Sequence, residues 1–229
     1  MNILQPYINI RSFDEEAVCE YLNKIDEIAL NFGPEQPILI EINSLGGSAY
    51  NMIQLYEHIR LLQNPIITYT SSMAMSAGAI LLSTLGSPGN RFASPNASIM
   101  IHEIQDSTGG DKKDILDYVA DMTVFNDRLM TILAKSMGLN DNTDVVKLIK
   151  DNAKGNALYL TPEKALEFGI IDHVGYVKMQ PKTIFEVITF LTEEEMYPPL
   201  TNEQCIEIEE ECRKKGKKLP KVPSKKRKK

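Results

Sequence analysis

Residues 37–70 read PILIEINSLGGSAYNMIQLYEHIRLLQNPIITYT. The first six, Pro37 to Ile42, are a short run rich in β-branched apolar side chains, the composition of strands in a parallel sheet. Gly46 and Gly47 end that strand, and from Ser48 the residues Ala49, Met52, Ile53, Tyr56, Ile59 and Leu62 recur at helical spacing. Pro65 then precedes a second β-branched run, Ile66 to Thr70. Strand, helix and strand form a βαβ unit, which predicts an α/β core.

The flanks extend the alternation. Upstream, Ser12-Phe-Asp-Glu15 has the spacing of a capping box, and Ala17, Val18, Tyr21, Leu22, Ile25 and Ile28 predict an amphipathic helix over 13–31. Downstream lie a small-residue segment (71–85), a strand (96–102) and a long helix (111–137) that turns Ile115, Tyr118, Val119, Met122, Phe125, Leu129 and Ile132 inward. A short helix is expected over 144–150. Thr161-Pro162 supplies an N-cap and a first-turn proline for a helix that Gly169 ends, and a strand follows over 170–174. Residues 61–90 carry no charged side chain, but Pro65, Gly78, Gly86 and many Ser or Thr interrupt them, so they predict a buried segment rather than a membrane span.

Charge divides the 229 residues unevenly. Residues 213–229 hold eleven Lys or Arg and no acid, which places +11 on the tail and −17 on the rest of a chain of net charge −6. A folded domain over 1–192 and an acidic-then-basic extension over 193–229, disordered or partly helical, are expected. Lysine runs meet phosphates non-specifically; a solvated tail, or one folded back on the acidic body, is the simpler expectation than nucleic-acid binding. Cys19, Cys205 and Cys212 lack the paired spacing of a zinc site or disulfide framework. No metal or cofactor is expected, and a reducing, cytoplasmic compartment fits, since the first residues also lack a secretory signal.

Three features are candidates for chemistry. Ser76, in Met73-Ala-Met-Ser-Ala-Gly-Ala79, has small neighbours that permit a sharp strand-to-helix turn, although Ala74 occupies the first glycine position of the G-x-S-x-G elbow. A packed serine in a small-residue helix is the plain alternative. His102 ends a β-branched strand, where an imidazole can project into a cleft as a general base, or remain a half-buried structural side chain. Gly46-Gly47 can bring backbone N–H groups to a reacting carbonyl, or merely make a turn. His58 and His173 have weaker claims.

The combination is more specific than its parts. Asn43-Ser-Leu-Gly-Gly47, Met73 to Ala79 with Leu81-Leu82, Arg91-Phe92 with Pro95-Asn96, Ile99-Met-Ile-His102 and Glu167-Phe-Gly-Ile-Ile-Asp172 occur in the order seen in the ClpP family of caseinolytic serine proteases, which the chain resembles over residues 6–175. The resemblance implies a crotonase-like, ClpP-like spiral of ββα units, and a serine endopeptidase acting on proteins or peptides inside a homo-oligomeric ring. It matches Ser76 to the nucleophile, His102 to the base, and the N–H groups of Gly47 and Ala77 to the oxyanion hole.

Three departures follow. Leu45 stands where the family has proline. Where the family places its catalytic aspartate, two residues before an aromatic, this chain has Ala157; Asn156 is expected to accept from His102 instead, with Asp151 as the alternative. A strand at Tyr7 to Ile10 leaves little length before it for the axial loops that the resemblance implies, which weakens the expectation of an ATPase unfoldase partner. Two further classes stay open: a crotonase-type acyl-CoA enzyme, which would not need the Ser76 and His102 pair, and a weakly active or non-catalytic scaffold with a basic binding tail.

Overall fold

The computed structural model describes residues 6–181 and 186–191. In chain order these form β1 (Tyr7–Ile10), α1 (Glu15–Asn31), β2 (Ile38–Ile42), α2 (Ala49–Ile59), β3 (Ile66–Thr70), β4 (Met73–Met75), α3 (Ala77–Leu85) and β5 (Arg91–Ala93). Then come β6 (Ser98–His102), α4 (Lys112–Met137), α5 (Asn142–Asn152), β7 (Ala157–Leu160), α6 (Pro162–Glu167), β8 (His173–Val174), β9 (Tyr176–Pro181) and β10 (Glu186–Leu191). Five strands build a parallel sheet in the order β1-β2-β3-β5-β8. A smaller sheet, β4-β6-β7, pairs β4 with β6 in parallel and β6 with β7 antiparallel.

The expected α/β architecture is present, and its repeat is visible in the topology. β3, β4 and α3, then β5, β6 and α4, each place one strand in the large sheet, the next in the small sheet, and a helix after them. Ile40 on β2 lies between Ile8 of β1 and Thr68 of β3, and Ile8, Ile40, Ile42, Met52, Leu55 and Leu81 are fully buried in the core. The charge-free residues 61–90 supply two strands and α3, whose residues are nearly all buried. No helix among the described residues is long and apolar enough to cross a membrane.

Local expectations needed adjustment at several points. The cap of α1 is Asp14, whose carboxylate accepts from the Ala17 N–H at 2.8 Å, while Ser12 donates its hydroxyl to Asp14. Ser12 therefore supports the cap instead of forming the capping box. On α4, Ile115, Leu116, Val119 and Val124 are exposed, and burial begins only at Asn126, Leu129, Met130 and Leu133. The inward placement of Ile115 and Val119 is thus corrected: the first half of this helix extends past the core. Strands β5 and β7 have three and four residues, too few for periodicity to announce them. The boundary at 192/193 and the tail lie outside the described residues.

One ion pair ties the end of the sheet to the helices. Arg91 of β5 donates from Nη2 and Nε to the two Asp172 oxygens at 2.5 and 2.9 Å, and from Nη1 to the carbonyls of Ser136 (2.9 Å) and Gly169 (2.7 Å). The two side chains are 11% and 17% exposed. Burial alone would raise the Asp172 carboxyl, but the Arg91 hydrogen bonds and charge outweigh it and hold it below the usual carboxylate range. A depressed folded-state value gives stability that is complete above the unfolded value and is lost as pH falls through the folded one. Asp172→Asn should therefore cost about 3 kcal/mol at pH 7 and flatten the loss of stability on acidification. Urea titrations at pH 7 and in the acid range measure both; a parental midpoint at pH 7 would remove this pair from the account.

Candidate active site

Ser76 sits where β4 ends and α3 begins. It is the one non-glycine residue at positive φ among the described residues, with φ 54° and ψ −122°. A non-glycine residue in this region is strained and persists only where its surroundings over-determine it. Here the Ser76 N–H donates to Met100 O at 2.8 Å, and the Ser76 carbonyl accepts from the N–H groups of Ala79 (3.0 Å) and Ile80 (3.1 Å). The small residues Ala74, Ala77, Gly78 and Ala79 allow the chain to turn this sharply in a buried place.

The glycine turn after β2 packs directly against this elbow. Gly46 has φ +103°, and a Cβ built on it would lie 2.6 Å from Ser76 Cβ and 3.1 Å from Ser76 Oγ. A side chain there is excluded by both conformation and contact. The turn is anchored by the Ser44 hydroxyl, which accepts from the Gly46 N–H at 3.1 Å, and by the parallel bridge between Ser44 and Ala74. Gly47, at φ +151°, backs onto Phe13. Neither the Gly47 N–H nor the Ala77 N–H donates a hydrogen bond among the described residues, and Ala77 opens α3, where the first N–H groups have no partner within the helix. At the far side, Asn43 Oδ1 accepts from the N–H groups of Ser71 (3.2 Å) and Ser72 (3.0 Å), fixing the turn that feeds β4.

His102, the last residue of β6, completes the pair: its Nε2 lies 2.9 Å from Ser76 Oγ. Its Nδ1 lies 2.5 Å from the carbonyl oxygen of Glu103. A carbonyl only accepts, so Nδ1 carries the ring proton, and Nε2 is left as the acceptor of the Ser76 hydroxyl proton. Both residues are half-buried. No sequence signal marks the Glu103 carbonyl, because a backbone acceptor leaves no trace in side-chain identity.

The expected third residue is elsewhere. Asn156 is exposed, precedes β7, and makes no hydrogen bond to His102 among the described residues. Asp151 is exposed on α5 and pairs with Lys147 at 3.5 Å. Directly opposite His102 in the antiparallel ladder stands Ala157, where the two Cβ atoms share a face about 5 Å apart. His58 bonds Asp26 at 2.7 Å, and His173 stacks on Phe92 and donates to Gly89 O; neither approaches a nucleophile. Cavity size does not locate the chemistry: a cavity of about 540 Å³, lined by Tyr56, Arg60, Arg91, Lys135 and Asp172 among others, contains neither Ser76 nor His102. A cavity of about 480 Å³ borders Gln105, Asn156, Ala157 and Tyr159 and likewise contains neither residue.

The fold is thus an α/β array of repeated strand-strand-helix units that sets a serine elbow, packed on a glycine turn, in front of a histidine. The Clp protease family model matches residues 11–178, and the chain belongs to that family. It is similar to the ATP-dependent Clp protease proteolytic subunit of Deinococcus radiodurans, with 34% identity over 141 residues. That match covers 62% of this chain and 66% of the Deinococcus protein, just under two thirds of its length.

Proposed function

We propose that this protein is a serine endopeptidase that cleaves proteins or peptides through an acyl-enzyme, in a cytoplasmic homo-oligomeric ring. The observation that carries the reading is the 2.9 Å contact between Ser76 Oγ, on a strained elbow, and His102 Nε2. In this reading Ser76 Oγ attacks the peptide carbonyl while its proton passes to His102 Nε2. The N–H groups of Gly47 and Ala77 hold the oxyanion. His102 then protonates the leaving amine, and water releases the acyl group by the same route in reverse. The Deinococcus relative is described as ATP-dependent; for this chain the proposal concerns the peptidase step alone.

A fluorophosphonate probe should modify Ser76, and Ser76→Ala should abolish both labelling and peptide hydrolysis while leaving the fold intact. Labelling separates this function from an acyl-CoA enzyme and from a non-catalytic scaffold. An unmodified Ser76 together with undiminished hydrolysis in Ser76→Ala would sink the assignment.

The ring rests on the first half of α4, where Ile115, Leu116, Val119 and Val124 are 38–58% exposed. An apolar stripe of this kind suits an interface between identical copies, and closed symmetry leaves no copy unpaired. Sedimentation velocity should give a closed oligomer at micromolar concentration, and Val119→Lys with Leu116→Lys should disperse it. A single 25.8 kDa species of the parent would contradict the ring.

The acceptor at His102 is the third part of the proposal: the Glu103 carbonyl sets the ring orientation, and no carboxylate adds charge to it. Ala157→Asp places a carboxylate across the ladder from His102 and should raise kcat for a short peptide by roughly tenfold or more, within the range spanned by a charged orienting group. Asn156→Ala should leave kcat unchanged, and so should Asp151→Ala. Steady-state kinetics of the three variants decides the matter: a large loss in Asn156→Ala would restore Asn156 as the orienting side chain.

A further inference from the structure

Asn126 is a polar residue only 9% exposed on α4, at the place where that helix first becomes buried. Burying an amide is costly unless its groups are bonded. Its Oδ1 accepts from the Ile104 N–H at 2.9 Å, and its Nδ2 donates to a carboxylate oxygen of Glu103 at 3.3 Å. The two contacts admit one amide orientation, since an N–H needs an acceptor and a carboxylate needs a donor. The Ile104 N–H and the Glu103 carbonyl belong to the same peptide group. One planar unit thus receives Nδ1–H of His102 at its oxygen and gives its own N–H to Asn126.

We propose that Asn126 is a positioning residue for His102, acting through the Glu103–Ile104 peptide. The inference rests on the reading of Ser76 and His102 as the catalytic pair. Because the peptide is planar and trans, holding its N–H fixes the direction of its C=O, and so the direction in which Nδ1–H must point. Hydrogen bonds at both ends of one peptide also polarise each other, which strengthens the acceptor at His102. The chain β6–Glu103–Ile104 leads into an exposed segment, residues 105–117; the Ile104 side chain packs on the core, and without Asn126 the peptide before it would lose the hydrogen bond that fixes its plane. The carboxylate contact holds the Glu103 side chain back toward α4. Orientation of the base is thereby assigned to a helix residue that touches neither His102 nor substrate.

The experiment uses Asn126→Ala and a swap that combines Asn126→Asp with Glu103→Gln. The swap keeps both contacts and nearly the same volume, with donor and acceptor exchanged between the two side chains. The chain has three histidines, so protein labelled with 15N-histidine reports the His102 tautomer directly. In Asn126→Ala the Nδ1–H signature of His102 should give way to a mixture with Nε2–H. The rate of Ser76 modification by a fluorophosphonate should fall about tenfold, near the worth of one hydrogen bond. Peptide kcat should fall in step, with KM held within about twofold. The swap should recover the tautomer and most of the rate. An Asn126→Ala protein with parental tautomer and labelling rate overturns the proposal, as does a folded swap that recovers neither. Failure of the parent itself to label at Ser76 overturns the catalytic reading instead, while the tautomer spectrum continues to decide the positioning role.

Discussion

The backbone of Ser76 at φ 54° is the constraint on which the site depends. Such a conformation costs about 1–3 kcal/mol, and three separate parts of the chain oppose its relaxation. β6 takes the Ser76 N–H at Met100 O, α3 takes the Ser76 carbonyl, and the glycine turn leaves room for the Ser76 side chain only because Gly46 has no Cβ. The same strand pairing sets the distance to the base. Met75 lies opposite Met100, and His102 is two residues further along β6, on the same face as Met100. A slip of one residue would turn His102 to the other face. Burial of Ile99 and Ile101 on the core side opposes that slip, because it would expose both.

Much of this was legible in the sequence, and the part that was not has a common cause. Helices α1, α2 and the second half of α4 follow from apolar spacing, and β2, β3 and β6 from β-branched runs, since in each the side-chain pattern reports the face that is buried. Ser76, His102 and the glycine turn were legible only as a combination, because each alone has a plain structural alternative. The pattern failed where a side chain's environment is supplied by distant chain. The strands β5 and β7 are held by their neighbours rather than by propensity. Ile115 and Val119 obey helical spacing but sit on a part of α4 that projects beyond the core. Asp14 outcompeted Ser12 as a cap because it lies one position before the first helical residue, Glu15.

The third group of the site shows the limit most clearly. The sequence displays an absence, Ala157 where the family has an acid, and invites the nearest polar side chain to fill it. Asn156 is adjacent in sequence, but neighbours on an extended strand point to opposite faces, so adjacency argues against its sharing the face of His102 rather than for it. Carboxylates that could be invited next are engaged with other partners: Asp151 with Lys147, Glu103 with Asn126, and Asp172 with Arg91.

A backbone carbonyl and a carboxylate differ in what they give a histidine. Both accept the Nδ1 proton, so both leave Nε2 free to receive the Ser76 proton. Only the carboxylate brings a full charge to stabilise the imidazolium that forms as the serine attacks. Replacing aspartate by asparagine in a serine protease built around the acid lowers turnover by about 10⁴, chiefly because the asparagine stabilises the wrong tautomer. The carbonyl of Glu103 avoids that failure, since it has no proton to donate. What it forgoes is the charge alone, and the dipole of a peptide held at both ends returns part of it. On the proposed mechanism the base is correctly oriented but weakly stabilised, and the rate then depends on how firmly one peptide group, just past the end of a strand, is kept in place.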